Sequence, residues 1–315
     1  MSSFPGHRTD GHWIRSMRGE KSSVDPLLPY GWFNEQEPDP YGKVKEVAAI
    51  LLTNRECPYT CLMCDIWKHT TSETVPAGAI PAQVEYALER LKSATGLKLF
   101  NSGSFFDPGA IPVEDYRQIA SLASPFEWTL VESHTAFVGE HCLEFNRMLP
   151  GKLQVAIGLE TVHPEILPAL NKGMSLEDFK KSVGFLKENG ISTRAFILLR
   201  PPFLSEAEGL EWACRSIDYA FACGVDVCSV IPVRSGNGSL DSLAEEGYFQ
   251  EPSIPSLEQV LAYGIALEKG LVFVDLWDLD RFSTCESCKV ARRDRLLRMN
   301  LRQEIQPRIN CACSV

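Results

Sequence analysis

The chain has 315 residues, 44% hydrophobic and 23% charged, which is enough apolar material for a full core and too polar a balance for a membrane protein. Its formal net charge of -10 argues against a protein that coats nucleic acid by bulk electrostatics, although a local basic patch remains compatible with it. The first 21 residues lack the apolar stretch of a signal peptide, and no apolar run reaches the roughly 18 to 20 residues that a spanning helix needs. We therefore expect a cytoplasmic protein with no membrane partner.

The predicted elements divide the chain into three parts. Residues 1–44 are rich in Pro, Gly, Asp and aromatic residues without a sustained period, which predicts an irregular N-terminal arm. In residues 45–240, short apolar runs alternate with amphipathic stretches, as in repeated βα units. Residues 241–315 are expected to form a C-terminal extension that contains four cysteines.

The βα rhythm predicts an α/β fold. Strands are expected at residues 47–53, 97–101, 128–132, 153–158, 192–199 and 226–231, with a further strand at 272–276. Helices are expected at residues 81–94, 113–122, 141–149, 176–188 and 206–222. Parallel strands joined by right-handed crossovers would close into a full or partial (β/α) barrel. Chemistry in such a barrel lies at the C-terminal ends of the strands, and this gives a test for each motif.

Three cysteines follow the first predicted strand. Cys57, Cys61 and Cys64 are spaced as Cys-x3-Cys-x2-Cys and leave the C-terminal end of that strand. Three thiolates at this spacing can bind one face of an iron–sulfur cubane and leave one iron open to an external ligand. The alternative is three buried thiols or a zinc knuckle completed by Asp65 or His69, which would leave the strand context unexplained.

A Cys-x3-Cys-x2-Cys motif after the first strand of a partial barrel resembles the radical S-adenosylmethionine (SAM) superfamily. The resemblance implies a partial (β/α)6 TIM-like barrel, a [4Fe–4S] cluster on Cys57, Cys61 and Cys64, and SAM bound to the open iron. One electron from a reductant such as flavodoxin or ferredoxin would cleave SAM to methionine and a 5′-deoxyadenosyl radical that abstracts hydrogen from the substrate. Many members have an aromatic residue before the third cysteine, whereas this chain has Met63, so we expect different packing near the adenine.

The loop after the second predicted strand is a candidate SAM-binding loop. Ser102, Gly103 and Ser104 stand where the superfamily has loops that bind the SAM amino group, and Gly103 would allow the backbone to approach closely. Residues 200–203 and 234–238 follow later strands with stiff and flexible turns respectively, and they are expected to form the substrate rim.

Two carboxylates at strand ends are candidate catalytic residues. Glu132 ends the third strand and Glu160 ends the fourth. A carboxylate there can hold ribose hydroxyls or a substrate amine, or it can pair with a basic neighbour such as Lys172 or Arg194. We predict ligand contact for Glu160, and for Glu132 both alternatives stay open. Arg194 lies within the fifth strand and could reach the SAM carboxylate, although a buried ion pair explains it equally well.

Five further motifs lie between residues 103 and 205. They are Gly-Ser-Phe-Phe-Asp-Pro at 103–108, Val-Glu-Ser at 131–133, Ile-Gly-Leu-Glu-Thr at 157–161, Leu-Asn-Lys-Gly at 170–173 and Arg-Pro-Pro-Phe-Leu-Ser at 200–205. Together they resemble the archaeosine-synthase radical SAM subunit and its uncharacterised relatives, near the elongator-type radical SAM proteins. The resemblance implies modification of a tRNA nucleobase, in which the lysine adduct of a 7-deazaguanine becomes an amidine by C–N cleavage.

Three other functions remain as alternatives to tRNA modification. One is a radical SAM enzyme that acts on a small molecule. Another is a non-catalytic iron–sulfur protein that transfers electrons or senses iron. The third is a zinc-dependent RNA-binding protein without catalysis.

Two cysteine pairs stand in the C-terminal extension. Cys285 and Cys288 are separated by 22 residues from Cys311 and Cys313. Two chelating pairs are the arrangement of a structural zinc site, and a second iron–sulfur cluster fits equally by ligand count. We favour zinc over a cluster, with free or redox-paired thiols as the remaining alternative. The other four cysteines are predicted to be small buried hydrophobes: Cys142, Cys214, Cys223 and Cys228.

The segment between the two pairs is rich in arginine. Residues 290–301 have apolar residues at helical spacing with arginines expected on the other face, and residues 289–308 carry a surplus of five basic side chains. A solvated helix face is the simpler interpretation. The more specific interpretation is an arginine-rich surface that is fixed by a metal ion and binds RNA phosphates.

Overall fold

A computed structural model describes residues 9–283 and 285–314 of the chain. The strands are β1 (Gly31–Pro38), β2 (Val44–Leu52), β3 (Gly96–Asn101), β4 (Trp128–Glu132), β5 (Lys152–Glu160), β6 (Ser192–Leu199), β7 (Val227–Pro232) and β8 (Leu271–Val274). The helices are α1 (Gly11–Met17), α2 (Ala79–Leu88), α3 (Tyr116–Leu122), α4 (Glu140–Met148), α5 (Ile166–Ala169), α6 (Leu176–Glu188), α7 (Glu206–Cys223), α8 (Ser239–Glu245), α9 (Ile254–Ala266) and α10 (Lys289–Arg302). Short 3-10 helices lie at Ile66–His69, Val113–Asp115, Thr135–Phe137, Leu279–Phe282 and Ala312–Ser314. Among these residues, no helix is both long enough and apolar enough to cross a membrane.

The eight strands form one sheet in which their spatial order equals their order along the chain. β1 pairs antiparallel with β2, and each later strand pairs parallel with the strand before it. Parallel neighbours require crossover connections, and helices supply all six of them. The sheet curls into a half-barrel, which confirms the predicted partial barrel, and β8 is the further strand predicted at 272–276.

Alternation along the strands separates the main core from the barrel interior. Leu97 and Leu99 of β3 belong to the large hydrophobic core between the sheet and its helices. The intervening Lys98 and Phe100 point to the opposite face and line a cavity inside the half-barrel. The same period of two on β5 and β6 places apolar residues under the helices, and the alternate residues of these strands line the cavity.

The N-terminal arm is more regular than predicted. Its described part contains α1, whose N-terminus is capped by the Asp10 carboxylate, and β1. The seven residues of α1 are too few to show a period in the sequence. In β1, Glu35 and Glu37 point into the barrel, so the expected pattern of apolar residues on the inner face is absent. The prediction of an irregular arm was therefore wrong for these two segments.

A second hydrophobic cluster lies beside the cysteine loop, which we define as residues 54–64. It joins Ile14 of α1 to Leu62 of the loop, to Leu170 and to Leu240 of α8. Because Ile14 and Leu62 are fully or almost fully buried, α1 packs firmly against the outer side of the loop. The arm thus supports the segment that carries the predicted cluster cysteines.

Helix α10 packs along the free edge of β8. The Asn300 side chain accepts a hydrogen bond from the Val274 N–H at 3.0 Å and donates one to the Val274 carbonyl at 2.8 Å. Gln303 makes the same pair of bonds with Val272, both at 2.9 Å. These side-chain amides replace the ladder of a further strand. Since α10 also contacts β1, it bridges the opening between the two edge strands of the half-barrel.

Two arginines of α10 do not lie on the solvent face that the sequence predicted for them. Arg292 and Arg295 are buried, and both pair with the Glu258 carboxylate of α9. Because α10 packs on α9 as well as on the sheet, the positive charges of these two arginines are paired inside the protein. The surface that could meet an anionic partner is correspondingly smaller than predicted.

Candidate functional site

A cavity of about 870 Å³ occupies the interior of the half-barrel. The cysteine loop contributes all three predicted cluster ligands to its lining: Cys57, Cys61 and Cys64. The strand ends contribute Glu132 and Glu160, as the barrel rule predicts. The structure therefore brings most of the predicted site residues to one cavity.

Three asparagine side chains hold the cysteine loop in place: Asn54, Asn171 and Asn237. Asn171 donates to the carbonyl of Thr60 at 2.8 Å, and Asn237 donates to the carbonyl of Leu62, also at 2.8 Å. Asn54 binds both the N–H and the carbonyl of Ser102, at 3.0 and 2.9 Å, and so ties the end of β2 to the loop after β3. Because these bonds satisfy buried backbone groups, the loop is fixed by the polypeptide itself.

Gly103 brings backbone against Cys57. Its φ is +87°, and a Cβ atom on it would lie 2.9 Å from the Cys57 Sγ. Only glycine leaves this space open without strain. Of the three residues predicted in this loop, Gly103 lines the cavity, whereas Ser102 and Ser104 are buried beside it. Ser104 shares a hydrogen bond of 3.0 Å with Ser133.

The three loop thiols are neutral unless a metal binds them. Burial raises the pKa of Cys57 and of Cys61 to about 11, and it raises the pKa of Cys64 to about 12. Thiols with such pKa values are poor nucleophiles near neutral pH, since the thiolate is the reactive form. A bound metal ion would remove their protons, so the donor set fits a metal or cluster site better than covalent catalysis.

Glu160 and Lys172 form an ion pair inside the cavity. Glu160 lies at an irregularity in the β5–β6 pairing and has a φ of +64°, a strained conformation for a residue with a side chain. Burial alone would lower the pKa of Lys172, but the Glu160 carboxylate outweighs this and raises it. A Cβ on Gly158 would overlap both charged groups, so glycine at this position makes room for the pair.

Glu132 is the cavity residue suited to proton transfer. Burial raises the pKa of its carboxyl to about 7, against the opposing effect of the Asn101 backbone N–H. A group with this pKa can hold or release a proton near neutral pH.

Arg194 is paired inside the barrel. It is the third residue of β6, far from the C-terminal end of the strand, and its guanidinium binds both oxygens of Glu37 at 2.8 and 2.9 Å. Burial would raise the pKa of Glu37, but the charges of Arg194 and Lys98 outweigh it and hold the pKa well below its usual range. The ion pair predicted as the alternative is present, and contact between Arg194 and SAM stays a prediction.

His134 and Tyr59 are residues that the sequence did not single out. Their rings stack at 3.9 Å, and both line the cavity. A ring nitrogen of His134 lies 3.0 Å from the Lys172 carbonyl, and burial lowers the pKa of His134 to about 4. The histidine is therefore neutral and helps to position the segment that carries Lys172. Its place directly after β4 was the only available signal.

The C-terminal cysteines converge as predicted. The four sulfur atoms lie within 4.8 Å of one another, with Cys285 and Cys311 at 3.7 Å and Cys288 and Cys313 at 3.4 Å. Tetrahedral zinc with Zn–S bonds of about 2.3 Å places its sulfurs about 3.8 Å apart. A cubane binds each cysteine through a different iron and spreads the sulfurs further. The spacing therefore fits a single ion better than a second cluster.

Comparison with known proteins agrees with this geometry. No protein-family model matches the chain. It is 26% identical over 288 residues to an uncharacterized protein of Methanocaldococcus jannaschii, covering 84% of this chain and 79% of that protein. It is 32% identical over 213 residues to archaeosine synthase subunit beta of Thermococcus kodakarensis, covering 64% of this chain and 65% of the subunit, which is a little under two thirds of its length.

The fold has a counterpart among solved structures. The crystal structure of methylornithine synthase matches with a TM-score of 0.54 at 13% sequence identity, covering 91% of this chain and 80% of that chain. At this identity the match concerns the fold alone. The chain is therefore a homologue of archaeosine synthase subunit beta, and it shares the partial-barrel fold of methylornithine synthase.

Proposed function

We propose that the protein is a radical SAM enzyme with its [4Fe–4S] cluster on Cys57, Cys61 and Cys64. The observation that carries this proposal is that all three cysteines line one cavity at the C-terminal end of the first parallel strand. When bound, the cluster would supply the electron that cleaves SAM to methionine and the 5′-deoxyadenosyl radical. The three thiols fit such a group as a donor set, and Gly103 lines the cavity close to Cys57.

The Glu160–Lys172 pair is suited to the amino-acid part of SAM. An ammonium group is attracted by the Glu160 carboxylate and a carboxylate by the Lys172 ammonium, so the pair matches a zwitterion charge for charge. Gly103 stands beside Cys57, and with its chain neighbours Ser102 and Ser104 it would border the same ligand through the backbone.

Glu132 is the candidate acid–base residue. It lines the cavity, and its raised pKa allows it to take or give a proton once hydrogen has been abstracted from the substrate.

The preferred substrate is a modified nucleobase in tRNA, with C–N cleavage as the reaction. Homology to archaeosine synthase subunit beta supports this choice, and so do the exposed arginines of the C-terminal extension. A small-molecule substrate is the second candidate, because a cavity of about 870 Å³ is large enough to hold one.

Anaerobic reconstitution with iron and sulfide tests the catalytic proposal. With dithionite and SAM, the wild-type protein should form 5′-deoxyadenosine. Cys61→Ala should form none, because one cluster ligand is missing. Cys214→Ala is the control, since Cys214 lies in α7 outside the cavity. If the wild-type protein forms no 5′-deoxyadenosine, the radical SAM proposal is wrong. Stimulation by small-molecule extracts but not by bulk tRNA would overturn the RNA preference.

We also propose that Cys285, Cys288, Cys311 and Cys313 bind a structural zinc ion. The sulfur spacing supports zinc, and Arg292 donates to the Cys288 sulfur at 3.3 Å, which favours its thiolate form. Metal analysis of the reconstituted protein should find zinc in addition to iron. Cys288→Ser should lose the zinc and keep the iron of the barrel cluster. Additional iron and sulfide in place of zinc would identify a second cluster.

A further inference from the structure

Trp277 stands at the mouth of the cavity with most of its ring in water. It follows β8 at its C-terminal end, on the catalytic face of the barrel. Its side chain is 64% exposed and also lines the cavity that contains the three loop cysteines. A large aromatic ring that borders a cavity and remains exposed is an available contact surface.

Hydrogen bonds fix the backbone of Trp277, and this holds its ring at the mouth of the cavity. The Trp277 N–H donates to the Asp275 carboxylate at 2.9 Å, and its carbonyl accepts from Arg234 at 2.6 Å. Arg234 and Asp275 are themselves paired at 2.6 Å. The Phe33 ring lies 5.6 Å from the indole and tilted, which supports it on one side.

Apolar side chains from α10 stand near this ring. Leu297 and Leu301 line the same cavity, and Leu297 is 44% exposed. α10 runs opposite to β8, because Asn300 pairs with Val274 while Gln303 pairs with Val272. The turn that carries Leu297 therefore lies toward Trp277. Together these side chains form a mouth with apolar walls, which suits the flat faces of a heterocycle.

Unpaired arginines stand on the outer side of α10. Arg298 and Arg302 are exposed, and neither has an acidic partner within the described part of the chain. Arg293, by contrast, is paired with Asp280. Arg298 directly follows Leu297 on α10, and Arg302 follows one turn later, so both extend from the helix whose leucines line the cavity. Two such cationic groups can bind the phosphates of a nucleic acid strand.

We propose that Trp277 is a stacking platform for an unpaired nucleobase of an RNA whose phosphates lie against Arg298 and Arg302. The proposal rests on the proposed function for its choice of RNA and adds the residues that hold the strand. Stacking on Trp277 requires an unstacked base, so single-stranded or looped RNA is the form recognised.

Fluorescence anisotropy with the reconstituted holoprotein tests the platform. The probes are a fluorescein-labelled single-stranded RNA, the same strand annealed into a duplex, and unlabelled guanosine 5′-monophosphate as competitor. Trp277→Ala should weaken binding of the single strand by about 5-fold to 100-fold, because a stacking contact is lost. Trp277→Phe should stay within about threefold of the wild type, since a ring remains to stack. Trp32→Ala is the matched control, because Trp32 is a partly exposed tryptophan outside the cavity.

The arginines are tested by salt dependence in the same assay. Arg298→Gln combined with Arg302→Gln should weaken both the single strand and the duplex and reduce the salt slope by about 2. Trp277→Ala should leave duplex binding unchanged, because that binding involves phosphates alone.

Three results would overturn the proposal: equal affinity of Trp277→Ala and wild type for the single strand, no binding of either RNA by the wild type, or stronger binding of guanosine 5′-monophosphate than of RNA. The last result would identify a free nucleotide as the ligand. Formation of 5′-deoxyadenosine, measured on the same wild-type preparation, separates failure of the catalytic proposal from failure of the platform.

Discussion

At the scale of single residues, two glycines mark the places where backbone must pass close to a functional group. Gly103 leaves space beside the Cys57 sulfur, and Gly158 leaves space for the charged ends of Glu160 and Lys172. Gly103 requires glycine for its positive φ as well as for its contacts, whereas Gly158 requires it for space alone. Substitutions at the two positions therefore test the cysteine loop and the Glu160–Lys172 ion pair separately.

Gly158→Ala should separate Glu160 from Lys172, because the new methyl group would occupy the position of their charged atoms. We expect SAM to bind about 10-fold to 100-fold more weakly, the cost of losing a charge-assisted contact. Equilibrium dialysis of labelled SAM against the holoprotein measures this. Gly184→Ala, in an open position on α6, is the control and should be neutral or slightly stabilising. Unchanged SAM affinity in a folded Gly158→Ala protein would remove the ion pair from the SAM site.

The positions of site residues could be predicted where the place in the chain alone decides them. Glu132 and Glu160 line the cavity because strand ends converge there. The partner of Arg194 could not be predicted, since Glu37 lies 157 residues away in a strand that the sequence did not reveal. The three asparagines that hold the cysteine loop were missed for the same reason. Each binds a segment that only the fold brings close to it.

At the scale of elements, the side-chain hydrogen bonds that join α10 to β8 should contribute to the free energy of unfolding. Asn300 and Gln303 satisfy four backbone groups of an edge strand that would otherwise be unpaired under a helix. Asn300→Ala should lower the free energy of unfolding by about 1 to 3 kcal/mol, because the Val274 N–H and carbonyl lose their partners. Urea unfolding measures the loss.

An exposed amide on the neighbouring helix provides the comparison. Gln259→Ala, on the solvent side of α9, should change the free energy of unfolding by no more than about 0.5 kcal/mol. A loss of similar size in both variants would indicate that edge capping by Asn300 adds nothing specific.

Element boundaries followed from the sequence wherever one face was uniformly apolar. α6 and β6 were predicted with the ends that the structure gives them. The predicted helix at 81–94 was displaced, since α2 begins at Ala79 and ends at Leu88. β1 was missed because its inner face carries glutamates, and a period of apolar residues cannot report a strand whose buried partners are charged.

At the scale of the whole molecule, one buried charge cluster joins three distant strands. Glu37 of β1 binds Lys98 of β3 and Arg194 of β6 across the barrel interior. The cluster fixes the antiparallel edge strand to the parallel sheet through side chains, in addition to the β1–β2 ladder. Removing the Glu37 carboxylate would break the Arg194 ion pair and leave Glu35 as the remaining partner of Lys98 in this cluster.

Glu37→Gln should therefore lower the free energy of unfolding by about 3 to 5 kcal/mol near neutral pH. The pKa of Glu37 is held below its usual value of 4.5, so its stabilising effect is present above that value and is lost as the pH falls. The difference between variant and wild type should shrink in acid, which guanidinium unfolding at a neutral and an acidic pH would measure. Glu35→Gln is the control, because Glu35 is a more exposed partner of Lys98. A pH-independent difference would contradict the assigned role.

The barrel as a whole could be predicted from the alternation of apolar runs, because that pattern depends only on local periods. The way in which the opening of the half-barrel is bridged could not be predicted from the sequence. It depends on contact between β1 and α10, and one of these elements precedes every parallel strand while the other follows them all. The C-terminal sulfur cluster was predictable from spacing, whereas the burial of Arg292 and Arg295 depends on Glu258 of another helix.

The strict agreement between strand order and chain order has a consequence for biosynthesis. Each strand can join the sheet as it leaves the ribosome, since its neighbour has already been made. α10, which bridges the two sheet edges, is translated after all eight strands. During translation the side of the half-barrel that faces α10 therefore stays open until that helix docks.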